Sequence, residues 1–142
     1  MKIQDVVRAK GTDVVTIEPT ATVQQLLDLL AEHNIGAVVV SSDKRHIEGI
    51  VSERDVVRRL ATAGARVLDA AVSEIMSRTV KTCTPADAIE DTAREMTYSR
   101  VRHMPVVVDG ELQAVVSIGD VVKFRIDQLT DERNHLLGYL HT

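Results

Sequence analysis

The chain has 142 residues, 44% of them hydrophobic and 27% charged, with a formal charge of −4 from 21 acidic and 17 basic side chains. That balance fits a globular domain, or two very small ones, and excludes disorder as the main state. It also disfavours a broadly basic nucleic-acid surface, and the three aromatics, Tyr98, Phe124 and Tyr139, are too few for a single-strand stacking platform.

The one cysteine, Cys83, has no internal disulfide partner. No Cys-x-x-Cys or His-x-x-x-His pair marks a structural zinc site, so no metal is expected. The N-terminus MKIQDVV does not read as a signal peptide, and no apolar run approaches the ~20 residues needed to span a bilayer. A cytoplasmic protein is expected.

In chain order, Val14-x-Thr16-x-x-Pro19 reads as a short edge strand closed by proline. Val23, Leu26, Leu27 and Leu30 form a helical apolar stripe, with Thr22 and Gln25 as a capping box. Strands at Ala37–Val40 and 48–51 follow, joined by the polar loop 41–46, and a second helix starts near Asp55. The stretch 61–71, with Gly64, reads as a linker turn into a lead segment, 72–76. Val80-x-Thr82-x-x-Pro85 is a second edge strand, and Asp87 with Glu90 a second capping box. Strands at 105–108 and 112–116 meet at Asp109-Gly110, a tight hairpin signal. The last helix starts near Asp120 and continues to the end, with Val122, Ile126, Leu129, Arg133, Leu136, Leu137 and Leu140 near one face. A helix of that length at a chain end docks on its own domain or on another subunit.

The chain repeats itself. A shift of 66 lays Val14–Pro19 on Val80–Pro85 and residues 38–40 on 104–106. A shift of 65 lays residues 49–57 on 114–122, where Val51, Ser52, Asp55, Val56 and Val57 recur unchanged. Hydrophobic packing does not require a Ser-x-x-Asp-Val-Val signature. The division expected is one repeat over 1–65 and a second, with its helical extension, over 66–142.

These residues resemble a tandem pair of CBS domains, the Bateman module. The resemblance rests on Gly49-Ile-Val-Ser52-Glu-Arg-Asp55, Ala114-Val-Val-Ser117-Ile-Gly-Asp120, the run from Val101 to Val107, and the lead segment Glu74–Ser77. It spans about residues 3–130 and looks like the stand-alone members of the family. It implies an α/β (α+β) fold of two β-α-β-β-α repeats packed about a pseudo-twofold axis, with an extended C-terminal helix. It further implies an adenine nucleotide such as AMP or ATP in the clefts between repeats, a homodimer, and a regulated protein partner, with no catalysis, cofactor, nucleic acid or membrane involved.

On that resemblance Asp55 and Asp120 are the ribose-binding carboxylates, each able to accept from two adjacent hydroxyls. Ser52 and Ser117 would offer hydroxyls to ribose or phosphate, and the helix start that includes Gly119 would offer backbone N–H groups. The alternative is structural, because Ser-x-x-Asp before an apolar run is also a helix cap. Arg102 and His103 would face the phosphate in one site and Arg54 in the other, unless these are solvated surface charges. Ile35-Gly36-Ala37 stands where Val101-Arg102-His103 does, so the first site is expected to be the weaker for phosphate. Thr16 and Thr82 would meet the adenine edge, or serve only as strand formers. Val14, Ile50, Val80 and Val115 read as core that doubles as apolar wall.

Overall fold

In the computed structural model, which describes residues 1–141, the chain divides into two compact units. One consists of Asp13–Lys81 with Val107–Gln113; the other joins Met1–Thr12, Thr82–Val106 and Ala114–Thr142.

The Asp13–Lys81 unit is a three-stranded sheet covered by helices. Strand β1 (Thr16–Ile17) pairs parallel with β2 (Ala37–Val40), which pairs antiparallel with β3 (Gly49–Ser52). Helix α2 (Val23–His33) opens with the expected capping box: Thr22 Oγ1 accepts from Gln25 N–H at 3.1 Å, and Gln25 Oε1 accepts from Thr22 N–H at 2.9 Å. Its stripe of Val23, Leu26 and Leu30 is buried with Val38, Val40, Val51 and Val56, the last on α3 (Glu53–Ala63). The stretch read as a linker is part of this core. A 3₁₀ turn over Gly64–Asp69 buries Val67, and a second over Val72–Glu74 buries Val72. Small residues let this segment pack closely, which a composition reading took for looseness. Ser77 then pairs with Ile50 at the sheet edge. A Cβ on Gly49 would come within 2.7 Å of both Met76 Sδ and Ser77 O, so this position needs glycine.

The other unit contains α1 (Ile3–Lys10), α4 (Ile89–Ser99), α5 (Ile118–Leu140) and most of the hairpin of β4 (His103–Val108) and β5 (Glu111–Ser117). The hairpin turn has φ +52° at Asp109 and +79° at Gly110, the two positive values of a type I′ turn. Ile3, Val6, Ile89, Met96, Met104, Val106, Val116 and Val121 are its large buried side chains. Cys83 is buried, and burial, aided by the Asp87 charge, pushes its thiol up to about 12.

Two expectations change here. The segment 80–85 makes a single parallel bridge, Cys83 to Val106, and no strand. Asp87 does not cap α4: its carboxylate accepts from Thr84 N–H at 2.9 Å and from Thr84 Oγ1 at 3.0 Å. This short turn leaves Ala88 as the N-cap. The apolar faces of α2 and α4 turn inward, with Val23, Leu26, Leu30, Ile89 and Met96 buried.

Candidate functional site

Both Ser-x-x-Asp signatures sit at the junction of a strand and a helix. Serine is the N-cap and aspartate the third helical residue, so α3 and α5 start two residues before Asp55 and Asp120. Asp120 Oδ2 accepts from Ser117 N–H at 2.9 Å, and Ser117 Oγ accepts from Asp120 N–H at 3.1 Å. Asp55 Oδ2 accepts from Ser52 N–H at 2.8 Å and from Ser52 Oγ at 3.0 Å. The capping function is therefore real. Each carboxylate makes these bonds through Oδ2, so capping leaves Oδ1 for a second task.

The two units repeat the surrounding backbone. Ile118 N–H donates to Arg102 O at 2.8 Å, and Glu53 N–H donates to Gly36 O at 3.0 Å. Arg102 thus stands beside the start of α5 where Gly36 stands beside the start of α3. The parallel pairings match as well, Ile17 to Val40 and Cys83 to Val106. Thr82 and His103 belong to the α5 unit, with His103 half-buried at the start of β4 and Thr82 exposed. Gly119 is exposed in the first turn of α5, and a Cβ there would meet Ser117 Oγ at an ordinary 3.5 Å. In the other unit Ala37 pairs with Ser52, Thr16 with Val39, and Arg54 is exposed in the first turn of α3. Val80 belongs to this unit and Thr82 to the other.

Val14, Ile50, Val80 and Val115 are all half-buried rather than core. Ile50 alternates with buried Val51 along β3, as a one-sided strand requires.

Sequence reading missed Lys10. Its Nζ donates to Asp120 Oδ2 at 2.7 Å and to Val115 O at 2.9 Å. Burial pushes the Asp120 carboxyl up, but the Lys10 bond, the Ser117 bonds and the Lys10 charge together hold it below its ordinary value. The repeat contained a signal, because the shift of 66 places Lys10 on Met76 and buried Val6 on buried Val72. The first ten residues are the lead segment of this unit.

Other polar features lie elsewhere. In the β2–β3 loop Asp43 is held well below the carboxylate range by His46 and by the backbone N–H groups of His46 and Arg45. A groove of about 400 Å³ beside α3 is lined by Arg59, Arg66, Val67 and Glu74 and includes none of the expected site residues. Among the described residues no cluster of three or more His, Cys, Asp or Glu could hold a metal, and no helix is long and apolar enough to cross a membrane.

The family model for the CBS domain matches twice, over residues 3–62 and 72–127. The chain belongs to the CBS domain family. A mitochondrial CBS domain-containing protein of Arabidopsis thaliana, CBSX3, is 31% identical over 97% of this chain and 71% of its own length. The crystal structure of the CBS-domain containing protein ATU1752 from Agrobacterium tumefaciens superposes with a TM-score of 0.85 at 39% identity, covering 88% of this chain and 99% of that one. The CBS domain protein PAE2072 from Pyrobaculum aerophilum, complexed with AMP, gives a TM-score of 0.75 at 28% identity over 84% of this chain and 89% of that one. This chain therefore has the mixed α and β fold of a CBS pair, ending in a long helix.

Proposed function

We propose that this CBS pair is a regulatory sensor of adenine nucleotides, binding an AMP- or ATP-type ligand and modulating a partner protein. The observation that carries the reading is the start of α5. A carboxylate with one oxygen left by its capping bonds stands in the first turn, and the Arg102 backbone adjoins it. Asp120 would accept from ribose hydroxyls. Ser117 and the Gly119 N–H would meet the phosphate, and Arg102 and His103 would add charge. Thr82 would face the adenine edge. In the other unit Asp55, Ser52 and Arg54 would act likewise, with Thr16, Ala37 and Val80 as walls. That set has Gly36 in place of Arg102 and should bind phosphate less well. The AMP bound by a relative of the same fold supports the ligand class.

The reading is one of binding rather than catalysis and requires no cofactor. It keeps the repeat boundary at 65/66 and a homodimeric state. A cytoplasmic setting belongs to it, supported by a lone buried thiol that needs no oxidising compartment. The rival is a constitutive dimeric interaction module without a physiological ligand. It is favoured by the capping bonds and the Lys10 pair, which engage Asp120 Oδ2 without a ligand.

Calorimetric titration with AMP, ADP, ATP, NAD and S-adenosylmethionine tests the reading, together with melts. A ligand at a hundredfold excess over its Kd adds about 2.7 kcal/mol, or roughly 5–10 °C for a chain of this size. No heat and an unchanged melt with all five at millimolar concentration would leave the rival standing.

A further inference from the structure

The groove beside α3 carries two cations that no carboxylate answers. Gly64, at φ +73°, ends α3 and opens the 3₁₀ turn that buries Val67. Ala63 and Ala70, half-buried on either side of that turn, are too small to fill the space beside the helix. What remains is a hollow of about 400 Å³, with Val67 and Ile75, 5% and 8% exposed, as its apolar lining. That volume lies within the roughly 300–1,000 Å³ of small-molecule sites.

Arg59 and Arg66 line the same hollow. Both are exposed, and among the described residues neither makes an ion pair. Arg59 is nevertheless held, because its Nη2 donates to Glu74 O at 3.1 Å. A backbone carbonyl fixes the guanidinium without cancelling its charge and leaves its other N–H donors to the groove. The Glu74 carboxylate turns away to its own turn, where Oε2 accepts from Ala71 N–H at 3.3 Å. From Arg58 to Arg66 the sequence has arginines at 58, 59 and 66 and no acid, in a chain of net charge −4.

The repeated fold does not require this arrangement. The shift of 65 that aligns the two helix starts puts Phe124 at the place of Arg59 and Gln128 at the place of Ala63. Both are half-buried on α5. A ring and a long amide stand there where a cation and a methyl group stand here.

We propose that the groove beside α3 binds a small organic anion, with an apolar body the size of one aromatic ring and a single phosphate or carboxylate head. The apolar lining would cover the body. The two guanidiniums would take the head, each through paired N–H bonds. Glu74 lines the same groove and disfavours a ligand of higher charge, such as a triphosphate. The site shares no residue with either Ser-x-x-Asp set and does not depend on nucleotide binding.

A nuclear magnetic resonance titration of the full chain at low salt tests this, with phenyl phosphate, benzoate and inorganic phosphate as probes. A ring-bearing anion should shift the backbone amides of 63–75 saturably, with a Kd on the order of 1 mM or below. The tighter of the two names the head. Inorganic phosphate, which lacks the apolar body, should bind about tenfold more weakly or worse. Arg66→Gln should weaken the ring-bearing anion about tenfold and leave the melt and AMP binding as in the parent. Ala70→Leu, which keeps both charges and fills the hollow, should abolish the shifts; if it also lowers the melt, Arg66→Gln decides. The proposal is overturned if neither ring-bearing anion shifts 63–75 at tens of millimolar, or if Arg66→Gln binds as tightly as the parent. Inorganic phosphate binding as tightly as phenyl phosphate would overturn the ligand class. Shifts confined to the starts of α3 and α5 would assign the anion to the Ser-x-x-Asp sites and overturn it too.

Discussion

Lys10 Nζ stands 2.7 Å from Asp120 Oδ2, across 110 positions of chain. The same ammonium donates to Val115 O, and the same oxygen accepts from Ser117 N–H. One oxygen of the carboxylate that a ribose would use therefore already has two donors. In the Asp13–Lys81 unit Met76 stands where Lys10 does, and Gly36 where Arg102 does. Both cationic differences favour the α5 unit, so a phosphate-bearing ligand should prefer it.

Replacing the ammonium should change selectivity. In Lys10→Met the carboxylate is released to the diol, while a positive charge that would attract the phosphate is lost. Adenosine should bind a few-fold tighter and AMP should not, so the AMP-to-adenosine affinity ratio should fall by about fivefold or more. The pair is partly exposed, at 43% and 27% of its side chains, so the stability loss should stay near 0.5–1 kcal/mol. Calorimetry with both ligands decides it; an unchanged ratio means that Lys10 acts on neither.

The pair also predicts a pH dependence. Asp120 titrates lower in the folded chain than in the unfolded one, where an aspartate sits near 3.9. The unfolded state therefore takes up the proton first as pH falls. The contribution is fully present above the unfolded value and is lost as pH drops through the folded one. Urea midpoints of parent and Lys10→Met should differ by a constant amount at pH 6–8 and converge below about pH 4. A gap that widens in acid would assign the stabilisation to another group.

Arg102→Ala should weaken AMP more than adenosine. A guanidinium grips phosphate and offers little to an uncharged nucleoside. The expected loss is about tenfold for AMP and under twofold for adenosine. Equal losses would show that the side chain acts through packing, or not at all.

Much of the fold is legible because it is written twice. The apolar stripe of α2, the buried run Ala37–Val40 and the Asp109-Gly110 turn each follow from period and turn chemistry. The segment 61–71 was misread because alanine and glycine fit a linker and a tightly packed 3₁₀ turn equally well. Asp87 was misread because an aspartate before a helix can bond backward to Thr84 as readily as forward. The Ser-x-x-Asp geometry was readable from local spacing, but the Lys10 contact depends on where α1 packs, which no local pattern specifies. The shift of 66 does lay the first ten residues on 67–76, so that Lys10 falls at the end of the lead segment 72–76.

Asp120→Asn separates a cap from a ribose site. Asparagine retains an acceptor for Ser117 N–H, and the Asp120 backbone N–H still donates to Ser117 Oγ, so the capping geometry survives. The cost without ligand should be the weakened Lys10 bond alone, about 0.5–1 kcal/mol. A ribose diol needs two acceptors, and the amide supplies one oxygen and a nitrogen that only donates. One charge-assisted bond becomes a mismatch and the other loses its charge. Binding of AMP should weaken by about 1.5–3 kcal/mol, on the order of ten- to a hundredfold. The signature is a near-parental melt without AMP and a much smaller upward shift with it. Asp55→Asn should show the same pattern more weakly, because its unit has Gly36 at the Arg102 position. If Asp120→Asn binds AMP as tightly as the parent does, the carboxylate is a cap, and the ligand, if one binds, is held elsewhere.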